Sequence, residues 1–262
     1  MHNGKKNVLI TGTTSGIGEA LAKQFATRGY GLVFVSRSKE KLIKQKTAFE
    51  RKYSVPIYII EKDLCEENAP AEIYQELKEV GISIHILVNN AGFNECGAFS
   101  KTQLEKEIDM IKVHDIATTR LTKLFLPNMM KSKWGHILNL GSIGSYAPFP
   151  LNAVYAASKA YILNYSLALR SELKSKNINV TTLTPGATKT EFAEKAGINH
   201  TLLFSNFVLS SDKVASKAVK GMLKKKAVIT PGIYNKLLVL SMKITPYAIL
   251  QKISPIFYKD VG

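Results

Sequence analysis

Cysteine is scarce in this sequence, with only Cys65 and Cys96 among 262 residues. Two cysteines exclude a disulfide-stabilised scaffold, and neither belongs to a Cys-x-x-Cys pair, so the sequence indicates no metal site. Long apolar runs are also lacking, and none reaches the roughly 18 residues of a membrane-spanning helix. No pattern typical of a secretory signal precedes the first strand-like run, so we expect a cytoplasmic protein.

The sequence also lacks low-complexity linkers and repeats of a solenoid period. Instead, short runs rich in Val, Ile and Leu alternate with longer segments of helical periodicity. The runs are apolar at successive positions, as is typical of strands buried on both faces. They lie at Asn7–Thr11, Gly31–Ser36, Ile57–Glu61, Ile84–Asn89, Gly135–Leu140, 179–183 and 227–230.

Strands that alternate with helices form βαβ units, and right-handed crossovers bring them into one mostly parallel sheet with helices on both faces. We therefore expect a single α/β domain built on a doubly wound, Rossmann-type sheet of seven strands. This domain is predicted for residues 1–232. An apolar helical extension, interrupted by Pro246 and Pro255, is predicted for residues 233–262.

A glycine-rich turn follows the first predicted strand and precedes a helical pattern at 19–28. Glycines permit a tight turn and a close approach of the backbone to a ligand. The N-terminus of a helix attracts a phosphate group. A strand, a glycine-rich turn and a helix in this order therefore predict a nucleotide-phosphate site. Its members are Gly12, Thr14, Ser15, Gly16, Ile17 and Gly18.

The end of the second strand indicates which dinucleotide binds. NAD-binding proteins carry an acid about 20 residues after the loop, whereas an arginine accommodates the 2′-phosphate of NADP. No acid occurs in this strand or directly after it, and Ser36 and Arg37 suit a phosphate, with Ser38 as a further candidate. We therefore favour NADP(H) over NAD(H). Asp63 and Leu64 are candidates for adenine contacts, and a helix N-cap is an equally good interpretation of Asp63.

Tyr155 and Lys159 lie four residues apart in a predicted helix and so share one face. A phenol with a pKa near 10 is a poor acid–base group at neutral pH. A neighbouring ammonium group favours the phenolate, so we expect Lys159 to lower the pKa of Tyr155. Taken alone, such a pair also occurs on helix surfaces. Ser142 follows the fifth strand at the ligand-binding edge, where its hydroxyl would hold a carbonyl oxygen, and Ser145 is the competing candidate.

The ordered set of motifs resembles the short-chain dehydrogenase/reductase family over about residues 6–230. The turn at 11–18 resembles the family's TGxxxGxG loop, and Asn90, Ala91 and Gly92 belong to a match to its NNAG motif. Ser142, Tyr155 and Lys159 stand where the family has its catalytic serine and its YxxxK motif. Pro185 and Gly186 match a PG pair after the sixth strand. The finer resemblance is to bacterial NADP-dependent members of the DltE-like type.

This resemblance implies hydride transfer between a nicotinamide and a carbonyl or alcohol carbon. Tyr155 would exchange the substrate proton, Lys159 would hold the nicotinamide ribose, and Ser142 would orient the substrate oxygen. Asn90 would stabilise the sheet near the cofactor. The nicotinamide side would be lined by Pro185, Gly186, Thr188 and Thr190.

One position departs from the family pattern. The family carries an asparagine in the helix after NNAG, held to anchor a water molecule of the proton relay, and this sequence has His114 there. An imidazole would serve the same relay with a charge that changes near neutral pH. Alternatively, the relay is impaired and turnover is slow, or His114 only packs the helix.

Two apolar segments bear on substrates and partners. The segment 188–211 is predicted to be a substrate lid, and its side chains favour an apolar or acyl-like carbonyl substrate, although packing or a subunit contact is the alternative. They are Phe192, Leu202, Leu203, Phe204 and Phe207. In the tail, 233–258, apolar residues accompany Lys236, Lys243 and Lys252. We favour folding back or an oligomer contact for this tail over peripheral membrane contact. The family resemblance implies a homodimer or homotetramer.

Acidic residues are few, with 20 Asp and Glu against 36 Lys and Arg, which gives a net charge of +16. The lysines are spread over predicted helices and no nucleic-acid-binding motif occurs, so we expect no nucleic-acid partner. The positive field would favour an anionic cofactor or a CoA-like substrate. An NADP(H)-dependent oxidoreductase is the favoured function. A catalytically weak nucleotide-binding sensor is the alternative, because fold alone does not establish turnover.

Overall fold

A computed structural model describes residues 6–198, 201, 208–253 and 256 of the chain. Within these residues, seven parallel strands form the main sheet and two further short strands pair beside it. The strands are β1 (Asn7–Thr11), β2 (Gly31–Ser36), β3 (Ile57–Glu61), β4 (Ile84–Asn89), β5 (Gly135–Leu140), β6 (Ile178–Leu183), β7 (Thr188–Lys189), β8 (Leu209–Ser210) and β9 (Val228–Ile229).

The order across the main sheet is β3-β2-β1-β4-β5-β6-β9, and β7 pairs with β8. The strand order reverses between β1 and β4, which makes the crevice beyond their carboxyl ends the expected ligand site. The prediction of a doubly wound, seven-stranded parallel sheet is confirmed.

Helices connect the strands and cover both faces of the sheet. In the described part of the chain they are α1 (Gly16–Ala26), α2 (Lys39–Lys52), α3 (Ala69–Glu79), α4 (Leu104–Ile111), α5 (Thr118–Lys131), α6 (Ala153–Leu173), α7 (Glu191–Lys195), α8 (Ser211–Leu223), α9 (Ile233–Ile244) and α10 (Tyr247–Ile253). A six-residue π-helix, Lys112–Ala117, joins α4 to α5, and two 3-10 turns occur at Ile143–Tyr146 and Lys174–Lys176. No helix in the described ranges is long and apolar enough to span a bilayer.

Burial on both faces explains why the strands are apolar at successive positions. Side chains alternate across a strand, so Val8 and Ile10 of β1 enter the buried cluster that contains Phe25, whereas Leu9 enters the opposite cluster with Phe125. Both clusters are covered by helices, as a parallel sheet requires.

The boundaries of some elements differ from the sequence prediction. Helix α1 occupies Gly16–Ala26 rather than 19–28, because glycines of the preceding turn form its first turn and Gly29, with a φ of 79°, turns the chain after it. Strand β6 begins one residue earlier than predicted, and β9 has only two residues. The β7–β8 pair is an addition that the sequence did not predict.

Candidate active site

A cavity of about 610 Å³ lies at the carboxyl ends of the strands. Its volume is that of a typical small-molecule site. Every residue predicted to bind the cofactor lines it, together with Ser142. They are Gly12, Thr14, Ser15, Gly16, Ile17, Gly18, Ser36, Arg37, Asp63, Leu64, Asn90, Ala91, Gly92, Tyr155, Lys159, Pro185, Gly186, Thr188 and Thr190. His114 does not line the cavity, and neither do the alternative candidates Ser38 and Ser145.

The glycine-rich turn leaves room for a ligand only because its residues lack side chains. A Cβ atom on Gly18 would lie 2.0 Å from the Gly12 carbonyl oxygen, so this position requires glycine. Helix α1 begins at the cavity wall, and the first N–H groups of a helix have no acceptor within the helix. These features fit the diphosphate of a dinucleotide, which needs a close backbone approach and a positive helix end.

Asn90 fastens the β4 end to the glycine-rich turn. Its side-chain amide donates hydrogen bonds to the carbonyl oxygens of Thr11 and Gly12, at 2.9 and 3.0 Å. In return, the Thr11 hydroxyl accepts from the backbone N–H groups of Asn90 and Ala91, both at 3.0 Å. This double connection fixes the two loops that flank the point where the strand order reverses.

The predicted 2′-phosphate region lies at the end of β2. The Arg37 Nη1 atom lies 3.7 Å from Asp63 Oδ2, and Arg37 keeps 69% of its side chain exposed. The hydroxyls of Ser36 and Thr14 are 3.2 Å apart. Ser38 instead caps α2, where its hydroxyl accepts from the Lys41 N–H at 3.4 Å.

The N-cap interpretation of Asp63 is wrong. Helix α3 begins at Ala69, after Asn68, so Asp63 lies outside it. The Asp63 carboxylate accepts a hydrogen bond from the Cys65 N–H at 3.0 Å and faces Arg37. It therefore holds the guanidinium at the edge of the cavity.

The reactive side chains meet at the other end of the cavity. Lys159 of α6 is buried, and its Nζ donates a hydrogen bond to the Leu140 carbonyl oxygen at 3.1 Å. The same nitrogen lies 5.5 Å from the centroid of the Tyr155 ring. The tyrosine ring contacts the His114 and Phe192 rings, with centroid distances of 5.9 and 6.0 Å. The i, i+4 pair is therefore part of the site rather than of the helix surface.

The structure of the loop after β5 shows which of its two serines faces the cavity. The Ser142 side chain lines the cavity and accepts a hydrogen bond from the Gly144 N–H at 3.0 Å. Ser145 is buried behind it, where its hydroxyl accepts from the Ser142 N–H at 3.2 Å. Ser142 is thus the serine that a substrate oxygen would meet.

Burial controls the ionisation of the reactive pair. Desolvation raises the pKa of Tyr155 to about 12, and the neighbouring Ser142 hydroxyl opposes this rise. Desolvation also lowers the pKa of Lys159 to about 8, with Asp115 acting in the opposite direction. The expectation of a lowered Tyr155 pKa is wrong for this arrangement, because desolvation of the phenol raises that pKa.

His114 lies behind the tyrosine, on the π-helix. Its Nε2 accepts a hydrogen bond from the Phe93 N–H at 3.3 Å, and its buried Nδ1 has no partner among the residues described. Burial, with a further contribution from Lys159, holds the pKa of His114 well below its usual value. The expectation of a charge that changes near neutral pH is therefore wrong, and the imidazole is neutral there.

Asp115 is a site residue that sequence reasoning missed. Burial raises its pKa to about 6, while the Ser158 hydroxyl and Lys159 lower it. The only hint in the sequence was its place next to His114. A carboxylate in a π-helix becomes significant only when the fold brings that turn against α6.

The cavity lining includes aromatic and aliphatic side chains beside charged ones such as Glu95, Lys106 and Lys195. Phe192, from the predicted lid, is one of the aromatic ones. Apolar lining residues that were not predicted include Phe93, Ile143, Phe149 and Ile198. They lie outside the regular strands and long helices, where no periodic pattern distinguishes a lining residue from packing. The predicted lid residues Leu202, Leu203, Phe204 and Phe207 lie outside the described residues.

Residues 6–200 match the family model described as short chain dehydrogenase. The chain belongs to the short-chain dehydrogenase family. Its members are oxidoreductases on a nucleotide-binding Rossmann fold, so the family resemblance predicted from the motifs is confirmed. The finer resemblance to the DltE-like type stays a prediction.

Individual family members agree with this assignment. A very-long-chain 3-oxoacyl-CoA reductase of Coccidioides immitis is 39% identical over 179 residues, which are 66% of this chain and 50% of that protein. Hydroxysteroid dehydrogenase-like protein 1 of Gallus gallus is 34% identical over 87% of this chain and 68% of its own length. A short-chain dehydrogenase from Sphingobium yanoikuyae, solved in complex with NADPH, has a TM-score of 0.82 and 32% identity, and the match covers 90% of this chain and 92% of that one. The chain thus spans only about half the length of the first of these relatives.

Proposed function

We propose that this protein is an NADP(H)-dependent oxidoreductase that transfers a hydride between the nicotinamide and an apolar or acyl-like carbonyl or alcohol substrate. The observation that carries the proposal is one continuous cavity. The glycine-rich turn lies at one end, and Ser142, Tyr155 and Lys159 lie at the other. A dinucleotide extended between these ends would bring its nicotinamide to the reactive side chains.

The side chains have distinct roles in this proposal. A bound nicotinamide dinucleotide supplies or accepts the hydride. Ser142 holds the substrate oxygen with its hydroxyl, and Tyr155 donates the phenolic proton to that oxygen during reduction. Because desolvation raises the pKa of Tyr155 to about 12, the phenol carries its proton at neutral pH. Lys159, held by the Leu140 carbonyl, binds the nicotinamide ribose.

Three observations support NADP(H) over NAD(H). Arg37 lies at the cavity edge with most of its side chain exposed, and Lys62 lines the same region. Asp63, an acid of the cavity, faces Arg37. Ser36 and the exposed part of the Arg37 guanidinium therefore remain available to bind a phosphate. The similar Sphingobium structure also contains NADPH.

The substrate class rests on the apolar wall and on two relatives. Phe93, Phe149 and Phe192 line the substrate end of the cavity, so an apolar chain would be buried there. Relatives named as 3-oxoacyl-CoA reductases act on acyl thioesters by name. The net charge of +16 would attract the phosphates of such a thioester.

The test measures nicotinamide absorbance with NADPH and NADH against ketones of increasing chain length and a 3-oxoacyl thioester. We expect turnover with NADPH, and we expect Arg37→Asp to lower kcat/KM for NADPH at least tenfold, by roughly 1.4 kcal/mol or more. Arg28→Asp is the control, because Arg28 lies on an exposed turn and its replacement changes the net charge by the same amount. A wild-type preference for NADH would contradict the cofactor assignment. Tight NADPH binding without turnover of any carbonyl would favour the sensor function.

A further inference from the structure

Helix α9 has an apolar face that points away from the protein. Ile233, Leu237, Leu240 and Ile244, here called the tail stripe, are 57–76% exposed. Their i, i+4, i+7, i+11 spacing places them on one side of the helix. The packing contacts of α9 come from other positions, since Val239 and Met242 are buried. The tail stripe is therefore not needed for the packing of the helix on its own domain.

The exposed apolar surface continues beyond α9. Tyr247 is 70% exposed, and Ile249, Ile253 and Ile256 are between 43 and 47% exposed, whereas Leu250 is buried. Isolated exposed leucines are common on protein surfaces, but a contiguous set on two successive helices is typical of an interaction surface. This surface is therefore a candidate for contact with a partner of matching chemistry.

The charge around the tail stripe identifies that partner. No Asp or Glu occurs on α9 or α10, which together carry Lys236, Lys243 and Lys252. Lys236 and Lys243, seven residues apart, lie on the same flank of the stripe. A second copy of the stripe would bring like charges together, whereas an anionic lipid surface complements both the apolar face and the lysines.

The same helix supports the wall of the active-site cavity. The Asn235 side chain lies against the backbone of Gly186, which lines the cavity. Met242 and Leu250 belong to one buried cluster with Phe149, which also lines it. A surface that binds the tail stripe would therefore contact the outer side of a helix whose inner side packs against the cavity wall.

We propose that the tail stripe docks this protein on the surface of an anionic lipid bilayer. The Leu and Ile side chains enter the boundary between headgroups and acyl chains, and Lys236, Lys243 and Lys252 contact the anionic headgroups. The sequence favoured a tail that folds back on the domain or forms an oligomer contact. In the structure, one face of α9 packs on the domain and the opposite face is exposed.

The test is flotation of the full chain with vesicles of phosphatidylcholine alone and of phosphatidylcholine with phosphatidylserine. We expect binding to the anionic vesicles that weakens with salt, and little binding to the neutral ones. Leu237→Ser/Leu240→Ser is expected to lower the partition coefficient at least about tenfold. The matched control is Phe99→Ser/Leu104→Ser, which removes two apolar side chains of similar exposure, 67 and 66%, elsewhere on the surface.

Two double variants with the same change in net charge distinguish contacts made by the lysines of the tail from the effect of the overall charge. Lys236→Glu/Lys243→Glu is expected to lower binding to anionic vesicles more than Lys217→Glu/Lys220→Glu, which changes two exposed lysines of α8. Equal losses in the two variants would overturn the proposal, and so would a failure of the wild-type chain to bind anionic vesicles at low salt. All variants are first checked by circular dichroism for retained folding.

Sedimentation without vesicles tests whether a second copy of the chain, rather than a lipid surface, covers the tail stripe. If Leu237→Ser/Leu240→Ser lowers the mass of the particle, the stripe is a contact between copies and the proposal is wrong. A homodimer or homotetramer that persists in this variant forms through another surface, and this result agrees with the proposal. Vesicle binding requires no turnover, so its outcome is independent of the proposed enzymatic function.

Discussion

At the residue scale, burial rather than pairing sets the charge of the reactive groups. Tyr155 and Lys159 share a helix face, and a sequence pattern invites the conclusion that the ammonium stabilises a phenolate. In the folded chain, Lys159 Nζ is bound to the Leu140 carbonyl, and desolvation dominates both groups. Loss of water disfavours any charged form, so the phenol stays protonated and the amine is easily deprotonated. Tyr155 therefore holds the proton that the oxygen of a carbonyl substrate needs when its carbon accepts a hydride.

Replacing the phenol tests this role directly. In Tyr155→Phe we expect kcat for carbonyl reduction to fall roughly 10²–10⁴-fold, the usual contribution of a positioned acid–base group. The dissociation constant for NADPH, measured by fluorescence titration, should change little because the ring and its packing remain. Tyr161→Phe, in which an exposed hydroxyl bonded to Thr119 is lost, serves as the matched control. Unchanged kcat in Tyr155→Phe would contradict the assignment.

The effect of Asp115 on the pKa of Lys159 should be visible in the pH dependence of kcat/KM. The carboxylate raises the pKa of Lys159, which lies at about 8, so Asp115→Asn lowers that pKa further. Lysine loses its charge as pH rises, and the alkaline decline of kcat/KM should therefore begin at lower pH in the variant. At pH 8.5 we expect a loss of about three- to tenfold relative to the wild type, and near-equal activity at pH 6.5. A pH-independent loss would indicate a purely structural role.

At the element scale, the strands were predictable and the loops that carry the chemistry were only partly so. β1 to β5 match their predicted limits because burial on both faces makes these segments apolar at most successive positions. Ser142 and Ser145 both follow β5, and without the family motif no pattern in the sequence tells which hydroxyl reaches the cavity. A local hydrogen bond from the Ser142 N–H to the Ser145 hydroxyl, three residues further on, holds Ser145 in the 3-10 turn.

The π-helix shows a second limit of sequence reasoning. The motif pattern identified His114 as unusual, but its neutral state follows from how deeply α4, α5 and α6 enclose it, with 2% of the residue exposed. Likewise, whether Asp63 caps α3 depends on where that helix begins, and helix limits are the least certain part of a prediction from sequence. Burial depth and element ends are tertiary properties, and spacing along the chain does not contain them.

The contact between the β4 loop and the π-helix gives a prediction at this scale. A Cβ atom on Gly92 would lie 2.5 Å from His114 Nε2, so Gly92→Ala is expected to lower the free energy of unfolding by about 1–3 kcal/mol. In Gly92→Ala/His114→Ala the clash is gone, so the double variant should lose less than the sum of the single variants. Urea unfolding of the four proteins measures this cycle. Strict additivity would mean that the loop avoids the imidazole.

At the scale of the whole molecule, the excess of 16 positive charges acts on every anionic ligand. Such a field raises the local concentration of a phosphorylated cofactor near the cavity, and the effect weakens as salt shortens the Debye length. The proposed cofactor carries its charge at a place where Arg37 and Lys62 line the cavity. The same field acts on the lipid surface proposed for the tail, so salt affects cofactor binding and vesicle binding together.

Salt titration of the kinetics separates long-range attraction from local contact. We expect KM for NADPH to rise about tenfold between roughly 0.05 and 0.5 M NaCl while kcat changes less than about twofold, because the field acts on encounter rather than on chemistry. In Arg37→Ala this rise should be smaller, since one contact to the phosphate is missing. Lys131→Ala, an exposed lysine at the end of α5, carries the same change in net charge and should keep the wild-type slope. Equal slopes in the two variants would assign the salt dependence to net charge alone and would remove Arg37 from the phosphate site.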